Sequence, residues 1–371
     1  MKNNICHLSS AHKRDDIRIF RKECKTLLNA GYQTFFIVAD GNGDEIIDEI
    51  NIIDVGKETS RIKRMTKTTK RILKKAIELN ADIYHFHDPE LMFAGLKLLK
   101  KGKKVIYDTH EDLPRQISGK PYLKKIIRKT LPFFIEKIEN YSAKRFSYII
   151  TATPAIRDRF AKLNKNVTDI NNYPILGELQ TNIEKRDIKN QVCYIGGLTK
   201  IRGLKQVVDS LEFVDVCLKI GGKFQNKTFE KELKQSKGWT KVEELGFLSR
   251  EEVKDLLSES IAGIVTFLPL PNHVDAQPNK IFEYMSAGLP VIGSNFDLWK
   301  QIIEENKCGI CVDPEKPKEI AAAIEKLSND KNLIMEMGEN GKKAVDEKYN
   351  WQIEEQKLIN IYSKILNKVI V

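Results

Sequence analysis

Apolar residues along this chain follow two alternating rhythms. Short apolar runs alternate with longer stretches that carry a single apolar face. The runs "NICHLS", "QTFFIVAD", "NIIDVG", "ADIYHFHD", "KVIYDTHED" and "FSYIITAT" read as strands. Between them, "IRIFRKECKTLLNAG", residues 57–79, "PELMFAGLKLLKKG", residues 119–146 and "PAIRDRFAKL" read as helices. Such alternation predicts an α/β fold, with an open, mostly parallel sheet covered by helices on both faces. The polar, turn-rich "DINNYPILGELQTN" (169–182) interrupts it and is expected to be a linker. The rhythm then restarts with "QVCYIGG", "VCLKIGG", "VEELGFLS", "IAGIVTFLP", "PVIGSNF" and "CGICVDP" as strands. The chain ends in one more amphipathic helix, whose stripe is Ile353, Leu358, Ile361, Tyr362 and Ile365. Two Rossmann-like parallel-sheet domains are predicted, 1–175 and 183–349.

Composition agrees with that division. A chain of 371 residues, 41% of them hydrophobic, can bury more than one core. No apolar run approaches the ~18 residues that span a bilayer. The amino-terminal stretch "MKNNICHLSSAHKRDD" has too short an apolar run for a signal peptide, so a cytoplasmic location is expected. Of the six cysteines, Cys308 and Cys311 form "CGIC", the spacing of a redox or zinc pair. No second ligand pair accompanies them, and "KCGICVDPEKP" reads more simply as turn, buried strand and turn.

The net charge of +11 is unevenly distributed. Residues 1–175 carry 34 Lys and Arg against 21 Asp and Glu, whereas the remainder carries 28 against 30. Much of the excess lies in residues 57–79 and 119–146. In the latter, Lys124, Lys125, Arg128 and Lys129 alternate with Ile126, Ile127, Leu131, Phe133 and Phe134. A basic amphipathic helix of this kind suits an anionic membrane surface, and a solvated helix face is the plainer alternative.

Open parallel sheets bind ligands beyond the carboxyl ends of their strands, and two such sheets face to face would frame one deep cleft. In the second half, "YIGGLTKIRGLKQVV" places Gly196 and Gly197 at a strand end and Arg202 at a helix start. Glycines let backbone approach a phosphate, and helix amides with an arginine stabilise its charge. The glycine spacing is not that of the dinucleotide fingerprint. In "QPNKIFEYMSAGLPVIGS", Lys280 and Glu283 share one helix face one turn apart. Lys280 near the helix start would add to an anion site, and Glu283 could accept hydrogen bonds from ribose hydroxyls. The pair fits a nucleoside diphosphate, the plain alternative being a surface ion pair worth ~0.2–0.5 kcal/mol. In the first half, strand alternation puts His85 and His87 on one side and Phe86 on the other. Asp108, His110, Glu111 and Asp112 end the next strand. These histidines could shepherd a proton or bond a sugar. Their strands are read as lying too far apart for zinc, and no metal is expected.

These stretches resemble the retaining glycosyltransferases of family 4, of GT-B fold. The likeness rests on "SSAHKRDDIRIFRKECKTLLNAGY", "YHFHDPEL", "VIYDTHEDLPRQI", "YIGGLTKIRGL", "PNKIFEYMSAGLPVIGS", "CGICVDPEKPKEIAAAI" and the Trp351 tail, and covers nearly the whole chain. The resemblance implies a Glu-x(7)-Glu motif whose second glutamate is Glu283, on the donor ribose. Its first position falls on Asp275, an acid one methylene shorter, expected against the donor sugar. The family's phosphate-binding lysine corresponds to Arg202, and its arginine position is occupied by Gly197, so Lys280 is expected to supply charge. His110 corresponds to the family's histidine near the donor sugar, with His87 a second catalytic candidate. Ser9, Ser10 and Arg18 fall in the family's first acceptor loop. The resemblance further implies that residues 350–371 cross back to complete the acceptor-binding domain 1–175, with 183–349 binding the nucleotide sugar. It implies transfer with retention from a nucleotide-sugar donor, without cofactor or metal, to a lipid-linked saccharide in surface polysaccharide assembly of the O-antigen type, at the inner membrane face. Two other readings stand beside it: a nucleotide-sugar epimerase of the same architecture, and a basic non-enzymatic protein binding membrane or nucleic acid. No recognised nucleic-acid motif is present, so no nucleic-acid partner is expected.

Overall fold

The computed structural model describes residues 2–118, 124–181 and 186–367. Residues 119–123 of the second basic helix, Asn182 of the expected linker and residues 368–371 of the tail lie outside the described residues. The first sheet contains β1 (Asn4–Leu8), β2 (Gln33–Val38), β3 (Glu45–Ile47), β4 (Ile50–Asp54), β5 (Ile83–Phe86), β6 (Lys104–Thr109), β7 (Tyr148–Thr151) and β8 (Val167–Asp169). Their order is β3-β4-β2-β1-β5-β6-β7-β8, parallel throughout except for the β3–β4 pair. That short antiparallel edge has no counterpart in the sequence expectation, because its three residues are too few to show alternation. The second sheet contains β9 (Gln191–Ile195), β10 (Cys217–Gly221), β11 (Val242–Gly246), β12 (Ala262–Val265), β13 (Val291–Ser294) and β14 (Gly309–Val312). It runs β11-β10-β9-β12-β13-β14, all parallel.

Each sheet grows outward from its first strand to one edge, then returns beside that strand and grows to the other. The order therefore reverses between β1 and β5 in one sheet and between β9 and β12 in the other. Loops leaving such neighbours diverge and open a crevice at their carboxyl ends.

The chain separates into two units, Met1–Asn172 with Gln352–Val371, and Tyr173–Trp351. In the first, Tyr84, Phe86, Tyr107, Ile149 and Phe160 form the core on one sheet face, and Ile19, Phe20, Phe36 and Ile52 a smaller cluster. In the second, one face buries Tyr194, Leu204, Ile220 and Ile324, the other Phe282, Tyr284, Trp299 and Met285. The helix Trp351–Ile365 buries Leu358, Ile361 and Tyr362, while Ile353 of the expected stripe is 38% exposed. All six cysteines are free. Cys308 is buried inside the second unit, and burial pushes its thiol and that of Cys311 up to about 12. That environment suits packing, not thiolate chemistry.

Candidate functional site

In the second unit the crevice is lined by the loop after β9 and the loop after β12. Gly196 takes φ +136°, its amide donating to the Gly221 carbonyl at 2.7 Å, and the Tyr194 hydroxyl donates to the Gly197 carbonyl at 2.9 Å. The absent side chain is occupied by charge. A Cβ at Gly196 would lie 2.5 Å from Lys280 Cε, 2.6 Å from its Nζ and 3.2 Å from Arg202 Nη1. Arg202 Nη1 would be 3.5 Å from a Cβ at Gly197. Gly203, at φ +72°, presses the turn against β12's end, where a Cβ would overlap the Thr266 carbonyl oxygen. That contact, with Leu268 N donating to Ile201 O at 3.0 Å, ties the two loops together.

Arg202 and Lys280 thus converge on the glycine pair, and among the described residues neither forms an ion pair. Arg202's nearest ring is Phe267, 5.3 Å from its guanidinium carbon. Burial pulls the Lys280 ammonium below its ordinary pKa; Glu283 opposes this, and Arg202 and Arg250 add to it. Two adjacent cations over the glycine backbone, neither in an ion pair among the described residues, suit an anion. Lysine binds anions while protonated, below its pKa, and releases them as pH rises through it. We expect pyrophosphate affinity, measured calorimetrically, to begin falling below the pH of about 10.4 at which an ordinary lysine titrates. The same titration on Lys280→Met separates this from protonation of the anion itself; parallel profiles would contradict the assignment.

Glu283 departs from the one-face expectation. It does not pair with Lys280; its Oε1 accepts from Arg250 Nη1 at 2.9 Å. Arg250 in turn grips Glu178 with Nε at 3.1 Å and Nη2 at 2.8 Å. Arg250 was invisible to spacing arguments. Its one sequence signal is the capping box Ser249–Glu252, which fixes a helix start beyond β11. Asp275 is exposed in the loop 266–278, without an ion pair among the described residues. His273, also unanticipated, anchors that loop: its ring Nδ1 meets the Leu268 carbonyl at 2.9 Å and its ring lies 5.1 Å from Phe267. The Trp299 indole donates to the Ala276 carbonyl at 2.8 Å.

In the first unit the crevice is filled by histidines. The strands that bear them are neighbours, contrary to the sequence expectation: β1 pairs with β5, aligning His7 with His85, and β5 pairs with β6. Their separation along the chain therefore gives no argument against a shared metal. His87 Nε2 meets His7 Nδ1 at 3.0 Å, and its Nδ1 lies 3.3 Å from both His110 Nε2 and Asp108 Oδ2. His110 Nε2 reaches the same Asp108 oxygen at 3.2 Å. Burial opposes ionisation of Asp108, yet Arg18 and the neighbouring imidazoles hold it well below the usual carboxylate range. Burial pulls His87 down to about 4 despite Asp108, so it is neutral at physiological pH. His110 is the partly exposed member of this group, its side chain 21% accessible, while His87 is enclosed.

The acceptor-loop residues have structural partners. The Ser9 hydroxyl donates to Asp88 at 2.8 Å, and the Ser10 hydroxyl to Glu90 at 2.7 Å, closing the turn after β1. Arg18 is buried, donating to Asp108 with Nε at 3.1 Å and Nη2 at 3.0 Å, and to the Ile170 carbonyl with Nη1 at 2.8 Å. Among the described residues, two groups have spacing compatible with a metal ion, His7–Glu23–His85–His87 and His87–Asp108–His110.

Residues 18–172 match the family Glycosyltransferase Family 4, and residues 176–344 match Glycosyl transferases group 1. The capsular polysaccharide biosynthesis glycosyltransferase CapM of Staphylococcus aureus is 24% identical over 182 residues, 48% of this chain and 47% of that protein. The match spans about half the length of CapM and of the Methanocaldococcus jannaschii glycosyltransferase MJ1607, 47% and 45%, and 74% of a second protein of that organism, MJ1069, at 21% identity. Among solved structures, sucrose-phosphate synthase from Thermosynechococcus elongatus superposes with TM-score 0.81 at 14% identity, covering 99% of this chain and all of that one. The Anabaena protein HepE, in complex with UDP-glucose, superposes with TM-score 0.73 at 15% identity, over 97% and 99% of the two chains. At such identities the likeness is one of fold.

Proposed function

The chain belongs to the GT-B glycosyltransferases, its first half to Glycosyltransferase Family 4 and its second to Glycosyl transferases group 1, and from that premise we propose that it transfers a sugar from a nucleoside diphosphate to a saccharide acceptor. The observation that carries this reading is the pair of cations, Arg202 and Lys280, in no ion pair among the described residues and gathered on Gly196–Gly197 where strand order reverses. In sugar transfer the leaving diphosphate gains charge as the anomeric bond breaks. Cations and backbone amides already in place stabilise that charge without reorganising. Glu283 Oε2, left over when Oε1 takes Arg250, is the acceptor offered to the ribose, and Asp275 reaches for the sugar. HepE's complex with UDP-glucose favours a uridine donor as the first to test. In the first unit His110, backed by His87 and Asp108, is the group offered to the transferred sugar or the acceptor hydroxyl.

We take the reaction to retain anomeric configuration and to need no divalent ion at the diphosphate, so rates should be equal with and without added magnesium or manganese. A thermal-shift panel of UDP-, GDP-, ADP- and CDP-sugars tests the donor reading. One nucleotide class should raise Tm in the native protein and leave Lys280→Met unmoved. An equal shift in both proteins would defeat the reading. Conversion of the donor sugar without any acceptor would instead mark an epimerase.

The acceptor is proposed to be lipid-linked, in surface polysaccharide assembly at the cytoplasmic face of the membrane. The helix Lys125–Ala143 supports this: Ile126 is 70% and Phe134 60% exposed beside Lys124, Arg128 and Lys129. Similarity to CapM points the same way. Binding to phosphatidylserine vesicles should weaken with salt, and Phe133→Ser/Phe134→Ser should weaken it by about tenfold or more, since each ring buries ~1.5–3 kcal/mol of apolar surface. Sedimentation with vesicles measures it, and equal binding by the double variant would remove this helix from the interface.

A further inference from the structure

Behind His110, at the ends of β1 and β5, lies a polar group that shares only His87 with the sugar-transfer reading. The wide-turned helix Ile17–Cys24, which continues as Lys25–Asn29, delivers Glu23 into the interior, where it is fully enclosed with His7, His85 and His87. Among the described residues neither Glu23 oxygen accepts a hydrogen bond; Arg18 Nε, 3.1 Å from Oε1, forms an ion pair outside hydrogen-bond alignment. Glu23 and Asp108 share the one guanidinium of Arg18, and two buried carboxylates against one cation are costly unless something further positive meets them. The spacing indicates what would. Glu23 Oε2 lies 3.8 Å from His7 Nδ1 and 3.8 Å from His87 Nε2, and those two nitrogens are 3.0 Å apart. His85 Nδ1 closes the fourth side, 4.0 Å from the same oxygen; its 2.8 Å hydrogen bond with the Tyr362 hydroxyl is the contact that ligation through Nδ1 would replace. A tetrahedral ion with bonds of about 2.0–2.2 Å separates its ligand atoms by roughly 3.3–3.6 Å, in the middle of this range.

We propose that His7, Glu23 and His87, with His85 as the fourth side, bind one divalent transition-metal ion of the zinc type inside the amino-terminal unit. Three imidazoles and one carboxylate form a nitrogen-rich set that favours zinc-like ions over magnesium or calcium. The surroundings fit the role as well. His87, ligating through Nε2, turns its Nδ1 towards Asp108 Oδ2 at 3.3 Å, a carboxylate–imidazole–metal arrangement that fixes tautomer and ring orientation. The ion would pin β1, β5 and the helix Ile17–Asn29 together at the point where the sheet reverses. It has no open position towards a substrate, so its part is structural. The inference does not depend on the donor reading.

The test uses the full chain, refolded with zinc(II) or with EDTA, its metal content then read by inductively coupled plasma mass spectrometry. One equivalent of zinc should survive desalting, and the zinc-loaded form should melt above the EDTA form. Glu23→Gln and His7→Gln should each weaken retention by at least about tenfold, whereas His12→Asn, on the exposed loop, should keep the equivalent. Retention unchanged in Glu23→Gln, or no zinc held by the native chain, overturns the proposal. Should the variants fail to fold, X-ray absorption at the zinc edge of the native chain decides. Imidazole scattering with nitrogen and oxygen near about 2.0–2.1 Å supports the site; sulfur near about 2.3 Å, from any of the six cysteines, refutes it.

Discussion

Replacing Lys280 with methionine is expected to lower kcat/KM for donor-dependent transfer by about 10²–10³-fold, the usual cost of removing one group aimed at developing transition-state charge. Methionine keeps the length of the side chain and most of its packing, so the loss is one of charge. The ammonium rests on Gly196 and forms no ion pair among the described residues, so no other group is stranded by its removal. The melting temperature should therefore hold while the rate falls. Glu283→Ala forms the parallel case: transfer should be abolished with folding intact, because Arg250 keeps its two bonds to Glu178. Initial rates of nucleoside diphosphate release, beside circular dichroism melts, measure both. Near-native rates in either variant would remove that residue from the donor site.

The largest stability effect is expected at Arg18. Removing it, as Arg18→Met, leaves Asp108 and Glu23 buried beside each other without their cation, and should destabilise the amino-terminal unit by about 3–5 kcal/mol. Urea denaturation followed by fluorescence reads this as a lowered midpoint. Arg18→Met combined with Asp108→Asn should recover part of the loss, since the second change removes one uncompensated charge. An exposed acceptor-binding arginine would behave differently, lowering transfer while sparing the midpoint.

The two arginines also show where sequence reading stops. Arg18 and Arg202 each follow a strand and sit near a helix start, and spacing makes them look alike. Folding buries one against Asp108, Glu23 and a carbonyl, and sets the other above two glycines with no ion pair among the described residues. Likewise the i,i+3 relation placed Lys280 and Glu283 on one helix face, yet their side chains diverge to Gly196 and to Arg250. Arg250 comes from a different helix, and no local pattern reports a partner 33 residues away.

The amino-acid sequence by itself determined the α/β rhythm and the strand-end positions of its glycines, histidines and acids. These are local properties, set by side-chain periodicity and turn chemistry over a few residues. Only the tertiary structure decided that β1, β5 and β6 are neighbours, that four imidazoles and two carboxylates therefore share one interior, and that two cations share a glycine floor. Strand order is chosen by which helices cover which faces, an outcome of long-range packing that no window along the chain contains.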